Sequence, residues 1–288
     1  MHQVSCPVRW GDMDAQQHVN NGLYVDYLQE ARVDFLLSGD NAHLLGGGVV
    51  VVAHSISYQR PIEFSAEPVL IDVWISEVGG ARFSVSYRLH HHGNLVAQAR
   101  TTLCPYDFTA DRVRRLSDGE RRWFMARQRD SPEPGELTAP ALNGRGHRYS
   151  FPVRWSDLDS YGHVNNVRFY DYVQEARVAM TTSAAPTTKR QPNHDGAGGA
   201  DAAQWLVARQ DVSYKLQMQH RLEPYAACTA PVRVGDKSIV LACEIIDPLA
   251  EDRVVATART VLVAAGANGR PTPLTPEVRA AISAQLVS

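Results

Sequence analysis

The sequence predicts an α+β protein of two tandem domains, each a long helix wrapped by an antiparallel sheet. Three observations carry this. The chain repeats itself, since "PVRWGDMDAQQHVNNGLYVDYLQEARV" (Pro7–Val33) returns as "PVRWSDLDSYGHVNNVRFYDYVQEARV" (Pro152–Val178), with 17 of 27 positions identical. An apolar stripe of helical period follows the paired asparagines in both copies. Alternating, strand-like segments follow each stripe.

Later matches keep the same order in both halves. "ISY" (Ile56–Tyr58) pairs with "VSY" (Val212–Tyr214), and "VAQARTTL" (Val96–Leu103) with "VATARTVL" (Val255–Leu262). The duplication therefore covers whole domains, and a long unit present twice is not a solenoid. At 288 residues the chain has room for two such domains. We expect residues 1–130 to form the first, 131–147 a Pro- and Gly-rich linker, and 148–288 the second. A low-complexity insertion at about 183–203 reads as a mobile loop dispensable for the fold.

Within each half, a short strand comes first. Asn20 and Asn21, like Asn165 and Asn166, are good helix-capping residues. Tyr24, Tyr27, Leu28, Ala31 and Phe35 then share one helix face, as do Phe169, Tyr172, Val173, Ala176 and Met180. The rest reads as about four antiparallel strands. "RFSVSYRLH" (Arg82–His90) alternates, and Gly79-Gly80, His91–Asn94 and Gly235-Asp236 mark turns. Ser117–Asp130 reads as a polar terminal helix. Trp10 and Trp155 read as packing residues of the first strands, the His90–His92 run as solvent-exposed, and the Glu30–Arg32 and Glu175–Arg177 tripeptides as helix-surface ion pairs or interface contacts.

Composition excludes some functions. A net charge of −2 gives no electrostatic case for nucleic-acid binding. Four scattered cysteines form no metal motif or disulfide framework and fit a reducing cytoplasm. No apolar run reaches the length of a membrane span, and the N-terminus has no signal-peptide pattern. No metal or cofactor is expected, because no His/Cys/Asp cluster has ligand spacing.

The loop D-x-D-x-x-x-H-V-N-N, entering a helix that strands follow, resembles the hotdog-fold acyl-thioesterases. It is most similar to the 4-hydroxybenzoyl-CoA thioesterase-like group and the plant acyl-ACP thioesterases, here in a tandem double form. The resemblance implies Asp14 and Asp159 as catalytic carboxylates, with His18 and His163 in the place of the plant enzymes' motif histidine. It implies the backbone N–H of Asn21 and Asn166 as oxyanion donors. Asn20, Asn165, Gln16 and Tyr161 would support the loop. Gln16 and Tyr161 depart from the Asn that the plant enzymes carry there, and a family glutamate from the strand after the helix has only Glu63 nearby, in the first half. Asp12 and Asp157 read as loop-structuring.

The implied activity is metal-independent hydrolysis of acyl-CoA, with acyl-ACP as the alternative substrate. A hotdog hydratase or dehydratase and a non-catalytic acyl-CoA-binding protein remain open. In this family two domains pair edge to edge, so the halves would form an internal pseudo-dimer, and further homo-oligomerisation is open too. A carboxylate beside a helix N-terminus suits this chemistry, since one attacks or activates water and the other holds the developing oxyanion.

Overall fold

The computed structural model describes residues 1–39, 42–132, 135–184, 204–266 and 269–287. Most of the expected insertion, from residue 185 to 203, lies outside the described residues. The chain divides into two compact units, Met1–Gly135 and Glu136–Ser288.

In the first unit, strand β1 (His2–Cys6) leads through a single 3-10 turn (Trp10–Asp12) to helix α1 (Asn21–Leu37) and the short α2 (His43–Gly47). Strands β2 (Val49–Tyr58), β3 (Val69–Val78), β4 (Phe83–His91) and β5 (Asn94–Asp107) follow. They form an antiparallel sheet in the order β1-β3-β4-β5-β2, with a two-residue β6 (Arg112–Val113) on the end of β5. Helix α3 (Asp118–Met125) ends the unit. The second unit repeats the plan. It has β7 (His147–Phe151), a 3-10 turn (Trp155–Asp157), α4 (Arg168–Ala184), and β8 (Gln204–Tyr214), β9 (Tyr225–Val234), β10 (Ser238–Asp247) and β11 (Arg253–Ala265). Its sheet order is β7-β9-β10-β11-β8, and α5 (Pro276–Ser283) follows.

The helix stripe and the strand alternation meet in the core. Tyr24, Tyr27, Leu28, Ala31 and Phe35 of α1 are all buried, and so are Phe83, Val85, Tyr87 and Leu89 on the facing side of β4. Each such large side chain contributes about 1.5–3 kcal/mol by leaving water. In the second unit Phe151 of β7 stacks on Tyr172 of α4 at 4.3 Å. The expected turns are present, since Gly79 and Gly235 each donate their N–H across a hairpin, to Arg82 and Ser238. His92 and Gly93 both take positive φ, the geometry that joins β4 to β5 most tightly.

Four readings of the sequence need correction. Trp10 and Trp155 do not pack in a strand; they sit on the 3-10 turns, 75% and 76% exposed. Arg32 and Arg177 are not on the helix surface but buried at 6% and 8% exposure. Arg32 donates to the Tyr87 hydroxyl at 3.4 Å, near His54, whose imidazole burial and Arg32 together push down to about 3. The histidine run does not share one environment. His91 is buried against Ser65 Oγ and the Glu67 carbonyl, whereas His92 faces the Glu67 carboxylate at 2.7 Å.

The fourth correction is α3, which is only half polar. Ser117 and Glu120 form a capping box, while Trp123 and Phe124 enter the core and Phe124 stacks on Phe83 at 4.2 Å. Glu120 is itself buried. Two Arg114 N–H groups hold its carboxyl well down, to about 2, against the opposing cost of burial, with help from Ser117 N–H and His43. A depressed carboxyl stabilises the fold fully above its ordinary value of 4.5, and that stabilisation fades as pH falls towards 2. We expect Glu120→Gln to cost about 2–3 kcal/mol at neutral pH. In urea titrations the gap between variant and wild type should narrow in acid, and a gap independent of pH would refute the ionic account.

The stretch expected as a linker contributes to the second unit. Leu142 is fully buried among Ala226, Cys228, Ala230, Ala242 and Ile246, and its N–H donates to the Glu244 carboxylate at 2.9 Å.

Candidate active site

Each unit builds the same loop ahead of its helix, and the backbone explains its shape. In the first, the Asp14 N–H donates to the His18 carbonyl at 2.8 Å and the Gln17 N–H returns to the Asp14 carbonyl at 2.9 Å. In the second, Asp159 N–H to His163 carbonyl and Gly162 N–H to Asp159 carbonyl measure 2.8 and 3.0 Å. The turn requires a left-handed residue at its end. Gln17 holds φ 66° and Gly162 φ 78°, so the second copy has the residue the backbone favours, while Gln17 costs roughly 1 kcal/mol. The loop is then clamped to the strand segment after β2 or β8. Val19 N–H donates to the Ile62 carbonyl, and Val164 N–H to the Met218 carbonyl, each at 2.9 Å.

The carboxylates of Asp12 and Asp157 organise this loop from inside. Both are buried. Asp12 accepts from the Arg9 backbone N–H, from Arg9 Nε and from the Tyr27 hydroxyl; Asp157 accepts from the same positions, Arg154 and Tyr172. Their backbone carbonyls accept the Asn20 and Asn165 N–H groups.

Asp14 and Asp159 are half-buried and differently engaged. Asp14 Oδ1 accepts the Gln16 N–H at 2.7 Å. Asp159 Oδ1 accepts the Tyr161 N–H at 2.9 Å and the His163 N–H at 3.3 Å. One oxygen of each carboxylate is thus pinned by the loop. Among the described residues, Oδ2 of each has no recorded donor. Gln16 and Tyr161 thus meet the two aspartates through their backbone N–H groups. No hydrogen bond joins the His18 imidazole to Asp14 among the described residues; His18 acts on the loop through its carbonyl and pairs with Glu63 in an isolated bridge. The matching position in the second unit, one past Met218, is Gln219.

Asn20 caps α1, and Asn165 makes the same contacts in the turn that leads into α4. Their side chains accept from Gly22 N–H at 2.9 Å and Val167 N–H at 3.1 Å, and their carbonyls accept from Leu23 and Arg168. Between these bonded groups lie the N–H groups of Asn21 and Asn166, with no recorded acceptor among the described residues. The side-chain Nδ2 of Asn166 is also buried without a partner. Two residues not singled out in the sequence fix these peptide units. The hydroxyls of Tyr58 and Tyr214 donate to the Asn21 and Asn166 carbonyls at 2.9 and 3.0 Å. Tyr24 and Phe169 meet those rings edge-on at 5.1 and 5.0 Å. The repeated "SY" of the two strands was the available signal.

The site thus offers an oriented carboxylate oxygen and a helix-start N–H. Among the described residues, no group of three or more His, Cys, Asp or Glu could hold a metal ion.

Comparison with known proteins agrees with this architecture. The thioesterase-like superfamily matches residues 8–124 and 153–282. The long-chain acyl-CoA thioesterase FadM of Escherichia coli (strain K12) is 32% identical over 127 residues, which are 42% of this chain and 93% of that protein. Among solved structures, the 12:0-ACP thioesterase from Umbellularia californica superposes with a TM-score of 0.70 at 15% identity, covering 91% of this chain and 97% of that one. An acyl-ACP thioesterase from Bacteroides thetaiotaomicron gives 0.64 at 12% identity, covering 91% and 96%.

Proposed function

The chain belongs to the thioesterase-like superfamily, and on that premise we propose that this acyl-thioester hydrolase acts on acyl-CoA, releasing free acid and CoA through Asp14 and Asp159. One observation carries the reading. Among the described residues, both units hold a carboxylate with one oxygen pinned and one available, in the same loop as an unengaged N–H, at the first residue of α1 in one and in the turn entering α4 in the other. A metal-free thioester hydrolysis needs these two parts.

In the proposed reaction the thioester carbonyl oxygen accepts from Asn21 or Asn166 N–H, where the helix dipole favours negative charge. Asp14 or Asp159 Oδ2 either adds to the carbonyl carbon or takes the proton of a water that does. In the first route the CoA thiolate leaves and water opens the resulting anhydride; in the second the thiolate leaves directly. The thiolate is a good leaving group, so no strong acid is required. His18 and His163 keep the loop in register through their backbones. FadM is named for long-chain acyl-CoA, which favours that substrate, while the structural neighbours named for acyl-ACP, each matched over 91% of this chain, support the second reading. The four free cysteines fit a cytoplasmic setting. No helix among the described residues is long and apolar enough to cross a membrane.

Free thiol released from matched acyl-CoA and acyl-ACP panels tests the carrier. We expect turnover of acyl-CoA that survives exhaustive chelation. Activity lost on chelation and restored by a divalent ion would refute the carboxylate mechanism. Thiol release from acyl-ACP alone would move the assignment to the second reading.

A further inference from the structure

A cavity of about 200 Å³ opens on the first unit's sheet, on the face turned away from α1. Strand alternation fixes its lining. Phe83, Val85, Tyr87 and Leu89 of β4 point to the core, so Ser86 and Arg88 point outward, with Trp74 of β3 and Gln98 and Arg100 of β5 beside them. The chain after α3 makes one wall, through Pro132. Among the described residues, no carboxylate lines this space.

Two buried polar atoms here lack partners. Trp74 and Ser86 are 5% and 2% exposed, and among the described residues neither Trp74 Nε1 nor Ser86 Oγ has a hydrogen bond. A buried donor without an acceptor is costly, and structures rarely leave two side by side. Across β3 and β4, Trp74 and Ser86 are direct neighbours. Above the Trp74 ring lies the Arg88 guanidinium, 5.4 Å from its centroid, on an exposed side chain. Arg100 lies opposite Ser86 on the other side and is held by Glu77 at 3.2 Å. Asp72, opposite Arg88 in the ladder, is already engaged by Gln3 and lies 3.8 Å from His90.

The second unit provides an internal comparison. The shared "AR" of β5 and β11 aligns Arg100 with Arg259, and the ladders then align Trp74, Ser86, Arg88 and Gln98 with Ala230, Ala242, Glu244 and Thr257. There Ala230 and Ala242 stand in place of Trp74 and Ser86, in one buried apolar cluster with Leu142 and Val287. Glu244 is taken by the Leu142 N–H. Arg259 keeps the place of Arg100, but among the described residues the indole N–H, the Ser86 hydroxyl and the Arg88 guanidinium are replaced by two alanines and a glutamate, so the duplicated fold does not require those three donors.

We infer that this outer-face cavity of the first unit is a binding site for a phosphate-class oxyanion, held by Arg88, Arg100, Trp74 Nε1 and Ser86 Oγ. Charge and donor type select an anion, because every inward group named here can donate and none is an acid. Size limits it. A water takes about 30 Å³ of liquid, so the cavity accepts a phosphate group with a few waters and not a whole coenzyme. The exposed Arg88 side chain covers the indole, so it turns off the ring to admit the ligand.

The probe is inorganic phosphate, titrated calorimetrically into the full chain at constant ionic strength with chloride as control. Saturable binding at one site per chain is expected. Loss of a charge-assisted hydrogen bond should weaken it roughly ten-fold in Arg88→Ala, and Trp74→Phe, which keeps the ring and removes the N–H, should weaken it several-fold. Thermal unfolding of both variants checks that the fold persists, and Ser86→Ala provides a third, smaller change if either fails. Adenosine 3′,5′-bisphosphate distinguishes the sources. Competition with phosphate identifies a nucleotide-borne phosphate, and phosphate binding without competition identifies the free ion. Absence of saturable binding, or affinity unchanged in the folded variants, overturns the site.

Discussion

Changing Asp14 and Asp159 together to asparagine should abolish acyl-CoA hydrolysis, while either change alone should leave a substantial part of it. Asparagine keeps the size of the side chain and its carbonyl oxygen still accepts the Gln16 or Tyr161 N–H, so the loop should hold. What is lost is the charged second oxygen. Losing an attacking carboxylate or base lowers turnover at one site by about 10²–10⁴-fold. Two independent sites lose activity additively, unlike residues that act as one unit. The two contributions should be unequal, since Glu63 pairs with His18 in the first unit where the second has Gln219, and Tyr161 replaces Gln16. Steady-state kcat for the two single variants and the double variant measures this. If Asp14→Asn alone removed all turnover, the second unit would be a silent partner. A fully active double variant would exclude both aspartates.

Much of this was legible because local and global signals agreed. The paired asparagines announce a helix start, and the structure uses Asn20 as the cap of α1, while Asn165 holds the turn that enters α4. The alternation of β4 places Phe83 through Leu89 as read. The misreadings came from judging residues by type instead of by position. His91 continues the inward series of β4 two residues after Leu89, and so it is buried while its neighbours are not. Arg32 falls four residues after Leu28, on the buried stripe of α1, where its charge suggested a surface. Trp10 and Trp155 lie where a 3-10 turn breaks the strand period, which the sequence does not mark. The roles of Tyr58 and Tyr214 depend on strands meeting a helix start 37 and 48 residues away, a contact that no local pattern encodes.

Asp12→Ala should destabilise the first unit by about 3 kcal/mol, in contrast to Asp14→Asn two residues away, which should stay within about 0.5 kcal/mol of wild type. The difference lies in what each carboxylate holds. Asp12 is buried, and its removal leaves the Tyr27 hydroxyl and two Arg9 N–H groups without their acceptor. Burial alone would raise the Asp12 carboxyl, but the hydrogen bonds from Arg9 and Tyr27 outweigh it and hold the group below its ordinary range. Its contribution is therefore present at neutral pH and is lost as acid protonates it. Asp157 is held the same way by Arg154 and Tyr172, so Asp157→Ala should repeat the effect in the second unit. Loss of Asp12 should also reduce turnover, since its backbone and side chain set the path of the chain into Asn20 and hence the direction of the Asn21 N–H. Denaturant unfolding and kcat, measured on the same samples, separate the two aspartates. Asp14→Asn should lose rate without stability, and Asp12→Ala should lose both. Equal stability losses would mean that Asp14 too is a structural group, and an unaltered Asp12→Ala would show that the loop is held by its backbone alone.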